Sequence, residues 1–115
     1  MSGTFESLPI EIDVRDVKSL LDAEEDFLLL DCREQDEYEL VRIGGATLLP
    51  MSEIQARFSE LEPHRERRIV VHCHHGGRSM QVAQWLRGQG FIGVQNMRGG
   101  IDQWAVEIEP TLPRY

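Results

Sequence analysis

An α/β domain built on a five-stranded parallel sheet is the architecture this sequence predicts. Short apolar runs alternate with segments of helical periodicity along the chain, the pattern that strand–helix–strand crossovers leave in a sequence. The runs Phe27–Leu30 and Ile69–Val71 are continuously apolar, as strands covered on both faces are. At 115 residues, 41% hydrophobic and 28% charged, the chain fits one domain, residues 1–115, with a single core. No repeat, low-complexity segment or linker interrupts it.

Each element has a local reason. Ile10–Ile12 reads as a short first strand. Asp13 can cap a helix that carries Val14, Val17, Leu20 and Leu21 on one face, with Asp16 at its third position. Phe27–Leu30 is a strand ending at Asp31, and an acidic helix follows at about Gln35–Leu40. Ala46–Leu49 is a third strand stopped by Pro50. Ser52 with Gln55 has a capping-box pattern ahead of a helix on which Ile54, Phe58 and Leu61 recur. Arg68–His72 is the fourth strand. The helix Ser79–Gln89 places Val82, Ala83, Trp85 and Leu86 mostly on one side and stops near Gly90. Val94–Met97 is the fifth strand, and Gly99-Gly100 turns into a last helix around Ile101–Val106.

The bulk properties exclude several function classes. A formal charge of −8 argues against nucleic acid or an anionic membrane as partner. No apolar run approaches the roughly 20 residues of a membrane span. Met1–Val14 lacks the basic start and apolar stretch of a secretory signal, so the expected address is the cytoplasm. There Cys32 and Cys73, which form no C-x-x-C pair, are expected as free thiols. The charge is uneven: residues 1–66 hold 17 Asp and Glu against 6 Lys and Arg, and residues 67–115 hold 3 against 6. Either the acidic half is a solvated face, or the basic half keeps a site positive for an anionic substrate.

The chemistry concentrates in His72-Cys73-His74-His75-Gly76-Gly77-Arg78-Ser79. A cysteine at the end of a buried strand opens a glycine-bearing loop that runs into a helix N-terminus. Unpaired backbone N–H groups and the helix dipole favour an anion there, and lower a thiol's pKa. Gly76 and Gly77 let successive N–H groups turn inward as an anion nest. Arg78 adds a fork of donors suited to an oxyanion, and His74 and His75 add positive charge if protonated. Cys73 is therefore the candidate nucleophile, and His74, His75, Gly76, Gly77, Arg78 and Ser79 are the candidate substrate-binding residues. The adjacency of His72, Cys73, His74 and His75, without a second ligand group at metal spacing, argues against a metal site.

These residues resemble the active-site loop of rhodanese-like sulfurtransferases, C-x-x-G-x-R-S. Leu30-Asp31-Cys32-Arg33-Glu34 with Glu37-Tyr38 is similar to that family's D-V-R-E…E-Y segment, and Ile43-Gly44-Gly45-Ala46 to its H-I-P-G-A turn. Gly90-Phe91 and Gly99-Gly100-Ile101-Asp102-Gln103-Trp104 are similar to its G-F…G-G-x-x-x-W ending. The resemblance implies a three-layer α/β/α rhodanese-like fold and a sulfurtransferase that works through a Cys73 persulfide. The donor would be a small anionic sulfane compound such as thiosulfate or a persulfide. The acceptor would be a thiol or cyanide, and a sulfur-relay protein is a further candidate partner. No cofactor is implied. It offers Asp31 and Arg33 as supporting residues, Asp31 by accepting loop N–H groups, with a structural salt bridge as the plain alternative for both.

Two other readings remain. One is a regulatory or sulfur-relay module that docks a partner protein. The other is a phosphatase or arsenate reductase of the same fold, disfavoured because such phosphatases carry C-x5-R where this chain has C-x4-R from Cys73 to Arg78. Arg42 and Gly44 depart from the family's usual histidine and proline. Cys32 stands where valine is common; the family's strand order would set it near Cys73, either as a resolving thiol or as a small buried side chain. Trp85 and Trp104 read as core or site-edge residues, His64 as a solvated loop residue, and the tail Pro110–Tyr115 as surface packing without chemistry.

Overall fold

The computed structural model of the protein describes residues 8–115. Residues 1–7, part of the N-terminal stretch considered above for a secretory signal, lie outside the described region. Five strands, β1 (Glu11–Ile12), β2 (Phe27–Asp31), β3 (Thr47–Leu48), β4 (Arg68–His72) and β5 (Gly93–Met97), run parallel in the order β1-β5-β4-β2-β3. The chain returns between them through α1 (Val14–Asp22), α2 (Gln35–Leu40), α3 (Gly77–Gly88) and α4 (Gly100–Glu107). This is the expected α/β sandwich with the expected five strands. Among the described residues no helix is long and apolar enough to cross a membrane.

Two cores flank the sheet, because successive strand residues point to opposite faces. Leu30, Ile69, Val71 and Val94 pack with Val82, Ala83 and Leu86 of α3 on one side. Leu29, Val70 and Met97 pack with Val14 and Val17 of α1 and Ile101 and Trp104 of α4 on the other. Asp13 caps α1 by accepting from the Arg15 N–H at 2.8 Å. At the end of α3, Gly90 takes φ +93°, its N–H bonds Arg87 O, and the Phe91 N–H bonds Leu86 O. That is a Schellman stop, which only a residue at ease with positive φ completes without strain.

One predicted element does not form. Residues 51–64 hold two 3₁₀ segments, Met51–Glu53 and Phe58–His64, in place of an α-helix capped by Ser52. Pro63 lies inside the second segment and cannot donate a helical hydrogen bond. Ser52 is bound elsewhere, its hydroxyl donating to Glu34 Oε1 at 2.7 Å. Ile54, Leu61 and Phe58 still reach the core, so the apolar spacing reported burial and not helix type.

His72 closes β4 fully buried, with neither ring nitrogen hydrogen-bonded. Burial holds its pKa near 4, against 6.5 for a free imidazole, with Asp31 pulling the other way. The unfolded chain therefore takes up a proton on this ring that the folded chain refuses. Its contribution to stability is complete above about pH 6.5 and declines towards pH 4. Urea unfolding at pH 7 and pH 5 should show a smaller loss of stability on acidification in His72→Leu than in the wild type. Equal losses would show that the ring does not stay neutral in the fold.

Candidate active site

The first residues beyond β4 form a tight turn into α3. Gly76, at φ +105°, is the N-cap of that helix and carries no side chain to accept the orphan N–H groups of its first turn. The Cys73 sulfur takes that place: Sγ lies 3.1 Å from the Gly76 N and 3.4 Å from the Ser79 N. Ser79 Oγ is also 3.4 Å from Sγ and touches Asn96 Oδ1 on β5. Its single proton is thus shared between two acceptors, whereas the two backbone donors are unconditional. Asn96 Nδ2 donates to Gly76 O at 3.3 Å, so this buried amide ties both ends of the turn to the sheet.

The back of the loop is fixed by α4. The Ile101 N–H donates to Cys73 O at 2.9 Å and the Asp102 N–H to His74 O at 3.1 Å. Gly100 makes this approach possible. It sits at φ +62°, and a Cβ there would lie 2.6 Å from Cys73 O and 2.4 Å from His74 O. The Gly99-Gly100 pair thus does more than turn the chain.

Cys73 is only 1% exposed. Burial pushes its thiol up, but Ser79 Oγ, the Ser79 and Gly76 N–H groups and the Arg78 charge outweigh it, and the pKa falls below the ordinary value. The predicted loop residues are therefore together, with unequal parts. Gly76 and Ser79 contact the sulfur; Gly77 and Arg78 form the first turn of α3. The His74 pKa is lowered by burial and then by His75, which works against the positive charge expected of it. Its ring stacks on Tyr115 at 3.9 Å and 4°. His75 is exposed, with Nδ1 3.9 Å from Asp102.

Arg78 does not close over the sulfur as expected. Its two terminal nitrogens bind Glu37 Oε1 and Oε2 at 2.7 and 2.9 Å. Glu37 also accepts from the Glu34 N–H at 3.0 Å and the Tyr115 hydroxyl at 2.8 Å. Held by Arg78 above all, its carboxyl drops to about 2. The site's arginine thus spends its donors on the acidic half of the chain. Among the other basic residues of 67–115, Arg67 pairs with Asp26, Arg98 with Asp13 and Arg114 with Asp102. A sequence-half excess of basic residues does not make this site a positive basin.

The Asp31 expectation needs correction. Leu30 and Cys32 point into the α3-side core, so Asp31 between them points to the opposite face, away from the cysteine loop. It accepts from the Arg33 N–H and guanidinium, the latter pair fully buried, with Arg33 Nη2 2.7 Å from Asp31 Oδ2. Arg33 also donates to Val41 O and Glu37 O at the end of α2 and to the Tyr115 hydroxyl. The pair is a structural clamp that orients α2, and Glu37 with it. Tyr115 and Asn96 went unread as site residues: the tail showed only a surface pattern, and Asn96 sits within the predicted strand Val94–Met97.

Other readings resolve simply. Arg42 is exposed and lies 4.7 Å over the Tyr38 ring, and nothing crowds Gly44. Trp104 is core, with Nε1 bonded to Glu109. Trp85 packs edge-on to Phe58 and lines a cleft of about 330 Å³ with Met51, Ile54 and Val82, to which Cys73 contributes no wall. His64 ends the second 3₁₀ segment, half-buried against Arg67.

The family model of the rhodanese-like domain matches residues 13–107, most of the described fold. The chain belongs to the rhodanese-like domain family. A sulfurtransferase of Allochromatium vinosum is 40% identical over 95 residues, covering 83% of this chain and 87% of that protein. A putative sulfur carrier protein of Bacillus subtilis is 36% identical over 108 residues, 94% of this chain and 57% of that protein. A rhodanese-like and PpiC domain-containing chloroplast protein of Arabidopsis thaliana is 37% identical over 91 residues, of which this chain spans 30% of the length. Among solved structures, the thiosulfate sulfurtransferase of Pseudomonas aeruginosa superposes with a TM-score of 0.78 at 30% identity, covering 90% of this chain and 20% of that one. The human single-domain sulfurtransferase gives 0.75 at 25% identity, covering 87% and 98%. This rhodanese-like chain therefore sits among sulfurtransferases and sulfur carriers.

Gly100→Ala tests the buttress behind the loop. A Cβ at positive φ driven against two carbonyls should cost about 2 kcal/mol or more, and the loop should lose its register on α4. Urea unfolding reads the first effect, and loss of selective Cys73 alkylation by iodoacetamide reads the second. An unchanged variant would show that the contact is not required.

Proposed function

We propose that this rhodanese-like domain is a sulfurtransferase whose nucleophile is Cys73. The observation that carries the reading is the sulfur itself, held by the Gly76 and Ser79 N–H groups at the N-terminus of α3 with its pKa lowered. The Cys73 thiolate attacks the outer sulfur of thiosulfate. A bond forms from Sγ to that sulfur, the sulfur–sulfur bond of thiosulfate breaks, and sulfite leaves with the electron pair. The product is a Cys73 persulfide, an anion with the same electrostatic needs as the thiolate, so the same donors hold it. A thiol, or cyanide, then attacks the outer sulfur and returns Cys73 to its thiolate.

Arg78 acts through its charge in this scheme, since Glu37 occupies its donors. The burial of Sγ favours a small donor such as thiosulfate or a low-molecular-weight persulfide. The sulfur-carrier name of the Bacillus relative supports a relay protein as a further acceptor, and the free thiols fit a reducing compartment such as the cytoplasm.

Incubation with thiosulfate followed by intact mass measurement tests the reading. The wild type should gain one sulfur atom and Cys73→Ser none. A wild type that gains no sulfur from thiosulfate or a persulfide donor contradicts the sulfurtransferase, and an adduct surviving in Cys73→Ser moves the site to Cys32.

A further inference from the structure

Cys32 has no part in the chemistry above, yet it shares the core on the α3 side of the sheet with Cys73. Asp31 pairs with His72 in the β2–β4 register, and the Cys32 N–H donates to His72 O at 3.0 Å, so the ladder continues and sets Cys32 beside Cys73. Both side chains lie in the same core on the α3 side of the sheet, 0% and 1% exposed, and both are free thiols. Laterally paired positions of neighbouring strands stand about 4.8 Å apart, within the roughly 4.4–6.8 Å Cα separation that a disulfide accepts.

We propose that Cys32 is a resolving thiol that attacks Cys73 Sγ once Cys73 carries a sulfane sulfur, expelling that sulfur as hydrogen sulfide and leaving a Cys32–Cys73 disulfide. The step rests on the persulfide reading of Cys73. It balances without an outside oxidant. The bond between Cys73 and the outer sulfur breaks as the Cys32–Cys73 bond forms, and the Cys32 proton leaves on the departing sulfide. Counted as sulfane sulfur on a thiol, the outer atom gains two electrons and each cysteine gives one. A low-molecular-weight thiol or dithiol reductant then restores both thiols. The domain would thereby release sulfide whenever no acceptor arrives, and stop until it is reduced.

The two sulfurs differ in how readily they ionise. Cys73 is drawn below the ordinary thiol range, while burial, then the Cys73 charge, then Asp31 hold Cys32 far above it. Cys73 is thus the more readily ionised sulfur and the one that collects sulfane sulfur, and the Cys32 proton passes to the outgoing sulfide as Cys32 attacks. Cys32 follows β2, whereas the Gly76 and Ser79 donors belong to the loop and α3, so the attacking thiol and the anion donors come from different elements.

The test is to load the protein with thiosulfate, remove the donor and oxygen, and follow sulfide with an electrode alongside intact mass and thiol alkylation after denaturation. In the wild type, sulfide and the internal disulfide should appear in equal amounts at a rate independent of protein concentration. In Cys32→Ala and Cys32→Val, two fillings of the same space, the adduct should outlast the wild type's by on the order of tenfold. Equal loss rates in a folded variant, or sulfide release with both thiols still open to alkylation, overturns the resolving role and leaves the sulfurtransferase standing. A wild type that takes up no sulfur overturns both.

Discussion

The carbonyls of Cys73 and His74 are turned away from the sulfur and spent on the first N–H groups of α4, at 2.9 and 3.1 Å. That leaves the amides of the same loop facing inward, and two of them, from Gly76 and Ser79, end on Sγ. A peptide loop has as many acceptors as donors, so an anion site can be made from backbone only if the carbonyls are consumed elsewhere. The close approach of Gly100 to both carbonyls is what consumes them. Strand β4 delivers the cysteine, α3 supplies the donors, and α4 fixes their direction.

Hydrogen-bond donors of the loop and of the first turn of α3 then settle the electrostatics. The side-chain charges around the loop cancel pairwise: Arg78 with Glu37, and Arg33 with Asp31. Tyr115 joins both pairs through its hydroxyl while its ring stacks on His74. Hydrogen bonds to an ionised acceptor contribute about 1.5–3 kcal/mol each, the same order as the several kcal/mol that burying an ion costs. The Ser79 hydroxyl and the two N–H groups, with the residual field of Arg78, reverse the effect of burial on Cys73. Cys32, one strand away and without those donors, is pushed up by burial and then by the Cys73 and Asp31 charges, with Arg78 pulling the other way.

The parts legible in the sequence were those governed by neighbours along the chain. The apolar runs located β2, β4 and β5, the acidic run at Gln35–Leu40 is α2, and Asp13 and Gly90 mark helix ends as their chemistry requires. The loop Cys73–Ser79 was legible for the same reason, since strand end, glycines and helix start are consecutive. What stayed hidden depends on distant partners. Ser52 looked like a cap but is held by Glu34, 18 residues away. Arg78 looked like an anion donor but meets Glu37, 41 residues away. Asn96 and Tyr115 lie in a strand and a tail whose local patterns say nothing of the sulfur they surround. Helix α3 begins at Gly77, two residues before the predicted Ser79, because its N-cap is a left-handed glycine whose missing side chain is replaced by Cys73 Sγ.

The central claim is that the Ser79 hydroxyl and the Ser79 and Gly76 amides draw the Cys73 pKa down against the cost of its burial. The pH titration of its thiolate ultraviolet absorbance, in Cys32→Ala so that one thiol is observed, measures this directly. The account predicts a midpoint below that of an ordinary thiol, moving upward in Ser79→Ala while the fold is retained. A midpoint at or above the ordinary value would mean that burial prevails and that Cys73 is an inert core residue.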